Sequence, residues 1–92
     1  MLDVKWRQIA RRDLEAVVDY ISDDNVDSAE ELRAEIEERV ANLALQPKIY
    51  KPGRFEGTRE MIVRGNYIVV YEEHDVFVRV LRVLPAARNW PQ

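Results

Sequence analysis

Residues 61–71 read MIVRGNYIVVY, two β-rich runs on either side of Gly65 and Asn66. A Gly–Asn pair between two such runs predicts a β-hairpin whose turn has glycine at its first central position. Residues 76–84 read VFVRVLRVL and predict a further strand, which is joined through residues 73–75 and ended by Pro85. This half of the chain therefore predicts three consecutive antiparallel strands.

Two arginines interrupt the apolar run of the last predicted strand. Arg79 and Arg82 are three positions apart rather than two. Successive side chains of a strand alternate between its two faces. The spacing therefore either places the two arginines on opposite faces of a regular strand or marks a bulge between them.

The first half of the chain begins with a short strand and continues with helices. Leu2, Val4 and Trp6 alternate with polar residues, as in a half-buried strand. From about residue 7 the apolar residues recur every three or four positions, which predicts a helix that ends at the turn formers of residues 22–25. A second helix follows, with Ser28 and Glu31 spaced as a capping box and a stop at Pro47. The predicted apolar stripes are Ala10, Leu14, Val17, Val18 and Ile21 in the first helix, and Ala29, Leu32, Ile36, Val40 and Leu43 in the second.

Together these elements predict one α+β domain over residues 1–92. Its expected order is an N-terminal strand, a helical hairpin, and then three antiparallel strands that form one sheet packed on the two helices. Residues 46–57 contain two prolines and two glycines and predict a loop between helix and sheet. The first strand should pair with one of the last three, because an isolated strand would leave its backbone polar groups unpaired.

Composition narrows the classes of site that the chain can hold. The sequence has no cysteine, which excludes disulfides and cysteine-based metal sites. His74 is its one histidine, which excludes a metal site built from histidines, and we expect no cofactor. The first residues lack a long apolar run, so we expect a cytoplasmic protein without membrane contact. The net charge is −3, with −6 in residues 1–45 and +3 in residues 46–92. A protein that holds RNA usually has a much larger basic excess.

Several segments, in order along nearly the whole chain, resemble the RelE/ParE superfamily of small bacterial toxins. Residues 53–63 read GRFEGTREMIV, where that family commonly has Gly-Arg, a short gap and Gly-Thr-Arg-Glu. Residues 80–91 read VLRVLPAARNWP, where relatives often have histidine in place of Pro85. The remaining matching segments are ARRDLEAVVDYI at 10–21, LALQP at 43–47 and NYIVVY at 66–71.

The resemblance implies the toxin of a bacterial type II toxin–antitoxin system, with the fold described above. It also implies a cognate antitoxin protein that wraps the toxin and forms a hetero-oligomer with it. Members divide in their targets: some resemble RelE and cut messenger RNA on the ribosome, whereas others resemble ParE and poison DNA gyrase. A third alternative is a homologue that has lost toxicity and merely binds its antitoxin.

The residues that RelE-like nucleases use are incompletely represented in this sequence. Cleavage by the 2′-hydroxyl needs a general base, a general acid and a cation beside the phosphorane. RelE-like members have arginine where this chain has Ile68, and alternating lysines where it has residues 60–62. His74 is interpreted as a solvated turn residue and Glu60 as a surface carboxylate. If the chain is a nuclease, its candidate catalytic residues are Arg59, Arg64, Tyr67 and Arg88.

The sequence therefore favours a toxin that acts by binding, with DNA gyrase as the expected target and the ribosome as the alternative. Arginine and tryptophan are favoured contact residues. Candidate target-binding residues are thus the basic and aromatic ones of the last strand and tail: Arg79, Arg82, Arg88 and Trp90. The antitoxin is expected to lie along the helical hairpin and one sheet edge, with contacts near Leu14, Val17 and Ile21.

Overall fold

The predicted order of elements is confirmed. A computed structural model describes residues 1–86. The elements are β1 (Asp3–Trp6), α1 (Gln8–Ser22), α2 (Val26–Asn42), β2 (Thr58–Val63), β3 (Tyr67–Glu73) and β4 (Phe77–Pro85). They form an α+β domain in which both helices cover one face of a single sheet.

The four strands lie in the order β1-β4-β3-β2, so β4 is a central strand. β2, β3 and β4 are antiparallel neighbours, as predicted. The first strand does pair with one of the last three: β1 runs parallel to β4, with Asp3 opposite Phe77 and Trp6 opposite Val80. The sheet is therefore mixed, because the chain crosses over through both helices before it returns beside its first strand.

A β-bulge resolves the spacing of Arg79 and Arg82. Val70 pairs with Arg82 but Tyr71 pairs with Val80, so β4 has one extra residue, Leu81, at this point. The extra residue shifts the alternation by one position. As a result Val78, Val80 and Val83 all belong to the core shared with the helices, and the register places both arginines on the opposite side of the sheet. We call that side the open face.

Two local predictions are wrong. The second helix is capped by Asn25, whose side chain accepts a hydrogen bond from the Ser28 backbone N–H at 3.0 Å, so Ser28 lies inside the helix. Asparagine caps as well as serine does, and here it has the extended backbone that a cap requires. The hairpin turn has positive φ at both Arg64 and Gly65, which is the pattern of a type I′ turn with glycine at its second central position.

Tyr71 joins the sheet to the segment that follows α2. Its side chain is fully buried, and its hydroxyl donates a hydrogen bond to the backbone oxygen of Pro47 at 2.6 Å. The ring of Tyr50 meets it edge to face, with centroids 6.5 Å apart. Burial raises the pKa of the Tyr71 phenol to about 12, because the charged phenolate would be poorly solvated there.

Candidate functional site

An apolar groove lies between α1 and the end of the sheet where β4 finishes. Its volume is about 380 Å³. We call it the α1 groove. Tyr20, on its rim, leaves 79% of its surface exposed and so extends the apolar surface of the groove. The lining residues are Asp13, Ala16, Val17 and Tyr20 of α1 with Tyr67, Val83 and Pro85 of the sheet.

Asp13 forms the polar boundary of the α1 groove. β1 pairs with β4 only as far as Val80, so beyond this point no other strand of residues 1–86 lies along that edge of β4. The Asp13 carboxylate accepts hydrogen bonds from the Arg82 guanidinium at 2.7 and 3.1 Å and from the Val83 backbone N–H at 3.0 Å. These hydrogen bonds raise the pKa of Arg82 above its ordinary value and join α1 to β4 across most of the chain.

The residues predicted to contact an antitoxin differ in accessibility. Leu14 is 2% exposed, within the core between helices and sheet, whereas Val17 is 8% exposed and borders the α1 groove. Ile21 is half-buried against the same core. Their role in antitoxin binding stays a prediction. Sequence reasoning missed Tyr20 because it lies off the apolar stripe of α1, and a single exposed aromatic side chain is not by itself a signal of a binding site.

The predicted target-binding residues do not form one cluster among residues 1–86. Arg79 lies on the open face, 3.8 Å from the carboxylate of Glu72. Arg82 is held by Asp13, so an external partner would have to compete with that pair. Arg88 and Trp90 lie outside the described residues, and their part in target binding stays a prediction.

The register of β2 and β3 separates two of the candidate catalytic residues, Arg59 and Tyr67. Arg59 pairs with Tyr71 and Val63 pairs with Tyr67, so Arg59 and Tyr67 lie about 13 Å apart along the strands. The Arg59 guanidinium donates to the backbone oxygen of Tyr50 at 2.7 Å. Arg64, at the hairpin turn, pairs with Glu35 of α2 at 2.8 Å. Each arginine is therefore engaged in a contact that fixes the fold, and Arg88 lies outside the described residues.

The two other titratable candidates also have structural contacts. Glu60 is not the surface carboxylate expected from the sequence: it is 3% exposed, because residues 51–53 fold over the end of β2. Its carboxylate accepts the Arg54 backbone N–H at 3.0 Å and so fixes that segment. His74 lies in the turn between β3 and β4, as predicted, where its ring stacks on Phe77 and its Nε2 is 3.1 Å from Glu72.

Residues 1–86 contain neither a cluster of metal-ligating side chains nor a membrane-spanning helix. Within that range we find no group of three histidine, cysteine or acidic side chains placed to hold a metal ion. The helices of the same range are too short or too polar to span a bilayer.

Comparisons with known proteins identify the family of this chain and other proteins with its fold. The family model for the ParE toxin of parDE type II toxin–antitoxin systems matches residues 4–90. A Sinorhizobium fredii protein named as a toxin, Y4kP, is 35% identical over 91 residues, covering 97% of this chain and 93% of its own. In fold, the chain is similar to a protein of the chromosomal ParDE system of P. aeruginosa, with a TM-score of 0.79, 22% identity and coverage of 92% and 96% of the two chains. It is also similar to a chain of the RelBE2 toxin–antitoxin complex of Mycobacterium tuberculosis, with a TM-score of 0.68, 28% identity and coverage of 91% and 96%.

Proposed function

This chain belongs to the ParE toxin family of type II toxin–antitoxin systems, and on that basis we propose that it arrests growth by binding DNA gyrase and blocking replication. The observation that carries this proposal is the match to the ParE toxin model over residues 4–90. A binding toxin needs no catalytic group. It needs a surface that favours one conformation of its target over the others.

The geometry of the candidate catalytic residues supports the same proposal. A general base and a phosphate-binding cation must converge within hydrogen-bond reach of one substrate atom. Arg59 and Tyr67 face different ends of the β2–β3 pair, and Arg64 is engaged by Glu35. The alternative that we keep is a ribosome-dependent mRNA endoribonuclease, together with a non-toxic homologue that retains antitoxin binding.

The target can be tested by inducing the chain without an antitoxin and following labelled thymidine and labelled methionine. We expect thymidine incorporation to fall first, because replication depends directly on gyrase. Tyr67→Phe is the matched variant: it keeps the ring and removes the hydroxyl, so a gyrase poison should retain its toxicity. If methionine incorporation falls first, and Tyr67→Phe abolishes that effect, the nuclease alternative replaces the proposal. Growth without any change in either label would identify a non-toxic homologue.

We further propose that the cognate antitoxin occupies the α1 groove. Val17, one of the predicted contacts, borders this groove, and Tyr20 stands exposed on its rim. An amphipathic segment can bury apolar side chains in such a groove. Asp19, next to Tyr20 in α1, and Asp23, directly after the helix, are exposed, so charge complementarity favours basic residues at the margin of the antitoxin segment.

Ala16→Glu should weaken antitoxin binding by at least about tenfold, because it places a charge in the groove that binding would have to desolvate. Ala16 and Ala34 are both exposed helix positions, so Ala34→Glu on α2 is the matched control. The antitoxin is co-expressed with the toxin, separated from it and refolded. Calorimetric titration of this antitoxin into each toxin variant then measures the two affinities. Equal affinities for the two variants would place the antitoxin elsewhere on the toxin.

A further inference from the structure

Two cations and an aromatic ring meet on the open face where β1 lies beside β4. The Nζ of Lys5 is 4.5 Å from the centroid of the Phe77 ring, and the Cζ of Arg79 is 5.1 Å from it. The His74 ring stacks on Phe77 with centroids 4.4 Å apart. We call Lys5, Phe77 and Arg79 the Phe77 cluster. It lies on β1 and the beginning of β4, away from the residues that line the α1 groove.

The strand register makes the two cations direct neighbours. Lys5 is the partner of Arg79 in the parallel β1–β4 pair, so their side chains project from the same face. Like charges directly opposite each other on a sheet destabilise it. Their cation–π contacts with Phe77 offset part of this repulsion but supply no negative charge.

Counter-charge in this region is incomplete. The Glu72 carboxylate is 3.8 Å from Arg79 and 3.1 Å from His74, so it serves two partners. Within the described part of the chain, no carboxylate lies at ion-pair distance from Lys5. Asp3 is on the same face, opposite Phe77, but forms no ion pair with either cation in residues 1–86. Lys5 and the exposed side of Arg79 can therefore accept an external anion.

We infer that the Phe77 cluster is a docking surface for a protein segment that presents a carboxylate beside an apolar side chain. The carboxylate would lie between Lys5 and Arg79, and the apolar group against the free edge of Phe77. Nucleic acid fits less well, because His74 already covers one face of the ring and two spare cations give little polyanion affinity. The inference deepens the proposed function, since it gives the chemistry of the target surface that the toxin would bind.

The first test measures stability. Lys5→Gln removes one charge of the like-charge pair and should therefore raise the midpoint of thermal unfolding by about 1–4 °C. Replacing a lysine that stabilises the fold would lower the midpoint instead. Lys51→Gln removes an exposed lysine beside β2, the edge strand opposite to β1, and should leave the midpoint unchanged. A lower midpoint for Lys5→Gln would overturn the inference, because it would show that Lys5 stabilises the fold.

The second test measures binding with a defined probe. A short glutamate peptide with one central leucine, titrated into the isotopically labelled chain, should shift the amide signals of Lys5, Phe77 and Arg79. The double variant Lys5→Gln, Arg79→Gln should weaken this binding at least about fivefold, whereas Lys51→Gln should not. Shifts elsewhere, no shifts, or tighter binding of a single-stranded DNA of equal charge would each overturn the inference. Neither test contains gyrase, so a failure of the proposed function would show separately, in a supercoiling assay with the wild-type toxin.

Discussion

Asp13→Ala should lower the free energy of unfolding by about 2–3 kcal/mol. The change leaves Arg82, whose side chain is 26% exposed, without its carboxylate partner, and it also removes the acceptor of the Val83 backbone N–H. Removing the charged partner of a partly buried group destabilises the fold by more than the interaction itself contributed, because the group that is left behind stays desolvated and unpaired. Chemical denaturation with urea measures the change.

Glu15→Ala is the matched control on the same helix. Glu15 also forms a bidentate pair with an arginine, Arg33 of α2, but its side chain is 54% exposed. Water solvates both partners when that pair is lost, so we expect a change of about 0.5 kcal/mol or less. Comparable losses for the two variants would show that Asp13 contributes no more than an ordinary surface charge.

The free energy of unfolding should also fall by about 2 kcal/mol between pH 10 and pH 12 because of Tyr71 alone. The pKa of Tyr71 is raised to about 12 in the folded state, whereas an unfolded tyrosine ionises near pH 10. Below pH 10 both states hold the proton and the stabilisation is complete. As the pH rises, the unfolded state releases its proton first, so stability is lost until the folded pKa is reached.

Tyr71→Phe isolates this effect, since it removes the ionisable group and keeps the ring. We expect the variant to be about 1 kcal/mol less stable at neutral pH, because the hydrogen bond to Pro47 is lost, and less sensitive to alkali than the wild type. Unfolding in urea at a series of pH values gives both quantities. The prediction fails if the free energies of unfolding of the wild type and of Tyr71→Phe change in parallel from pH 9 to pH 12, because Tyr71 would then ionise as readily in the folded chain as in the unfolded one.

The periodicity of apolar residues along the chain predicted the helices, the strands and the core, but not which distant segments pair with each other. The apolar spacing of Leu14 and Ile36 predicted helices with buried stripes, and both residues are in the core. The two arginines three positions apart left either a regular strand or a bulge, and the structure has the bulge, at Leu81. The choice of β4 as the partner of β1 depends on contacts between residues far apart in sequence, which local patterns do not specify.

The candidate sites show the same limit. Arg82 was predicted as a contact residue because arginine is common in interfaces, but its engagement depends on Asp13, which is brought to it by the helix. Glu60 was interpreted as a surface residue because nothing local indicates that residues 51–53 cover it. Tyr20 and Pro85 form one groove only after α1 is placed against β4. Residue type alone thus gave candidates, while their roles depended on tertiary neighbours.

The parallel pairing of β1 with β4 also sets an order of events during synthesis of the chain. Lys5 pairs with Arg79, which is made 74 positions later. At typical translation rates this interval lasts about 4–15 s. During that time α1 and α2 have left the peptidyl-transferase centre, but the β4 wall of the α1 groove does not yet exist. On the proposal that the antitoxin occupies the α1 groove, the toxin therefore offers its complete binding site only after β4, the last strand to be synthesised, has joined the sheet.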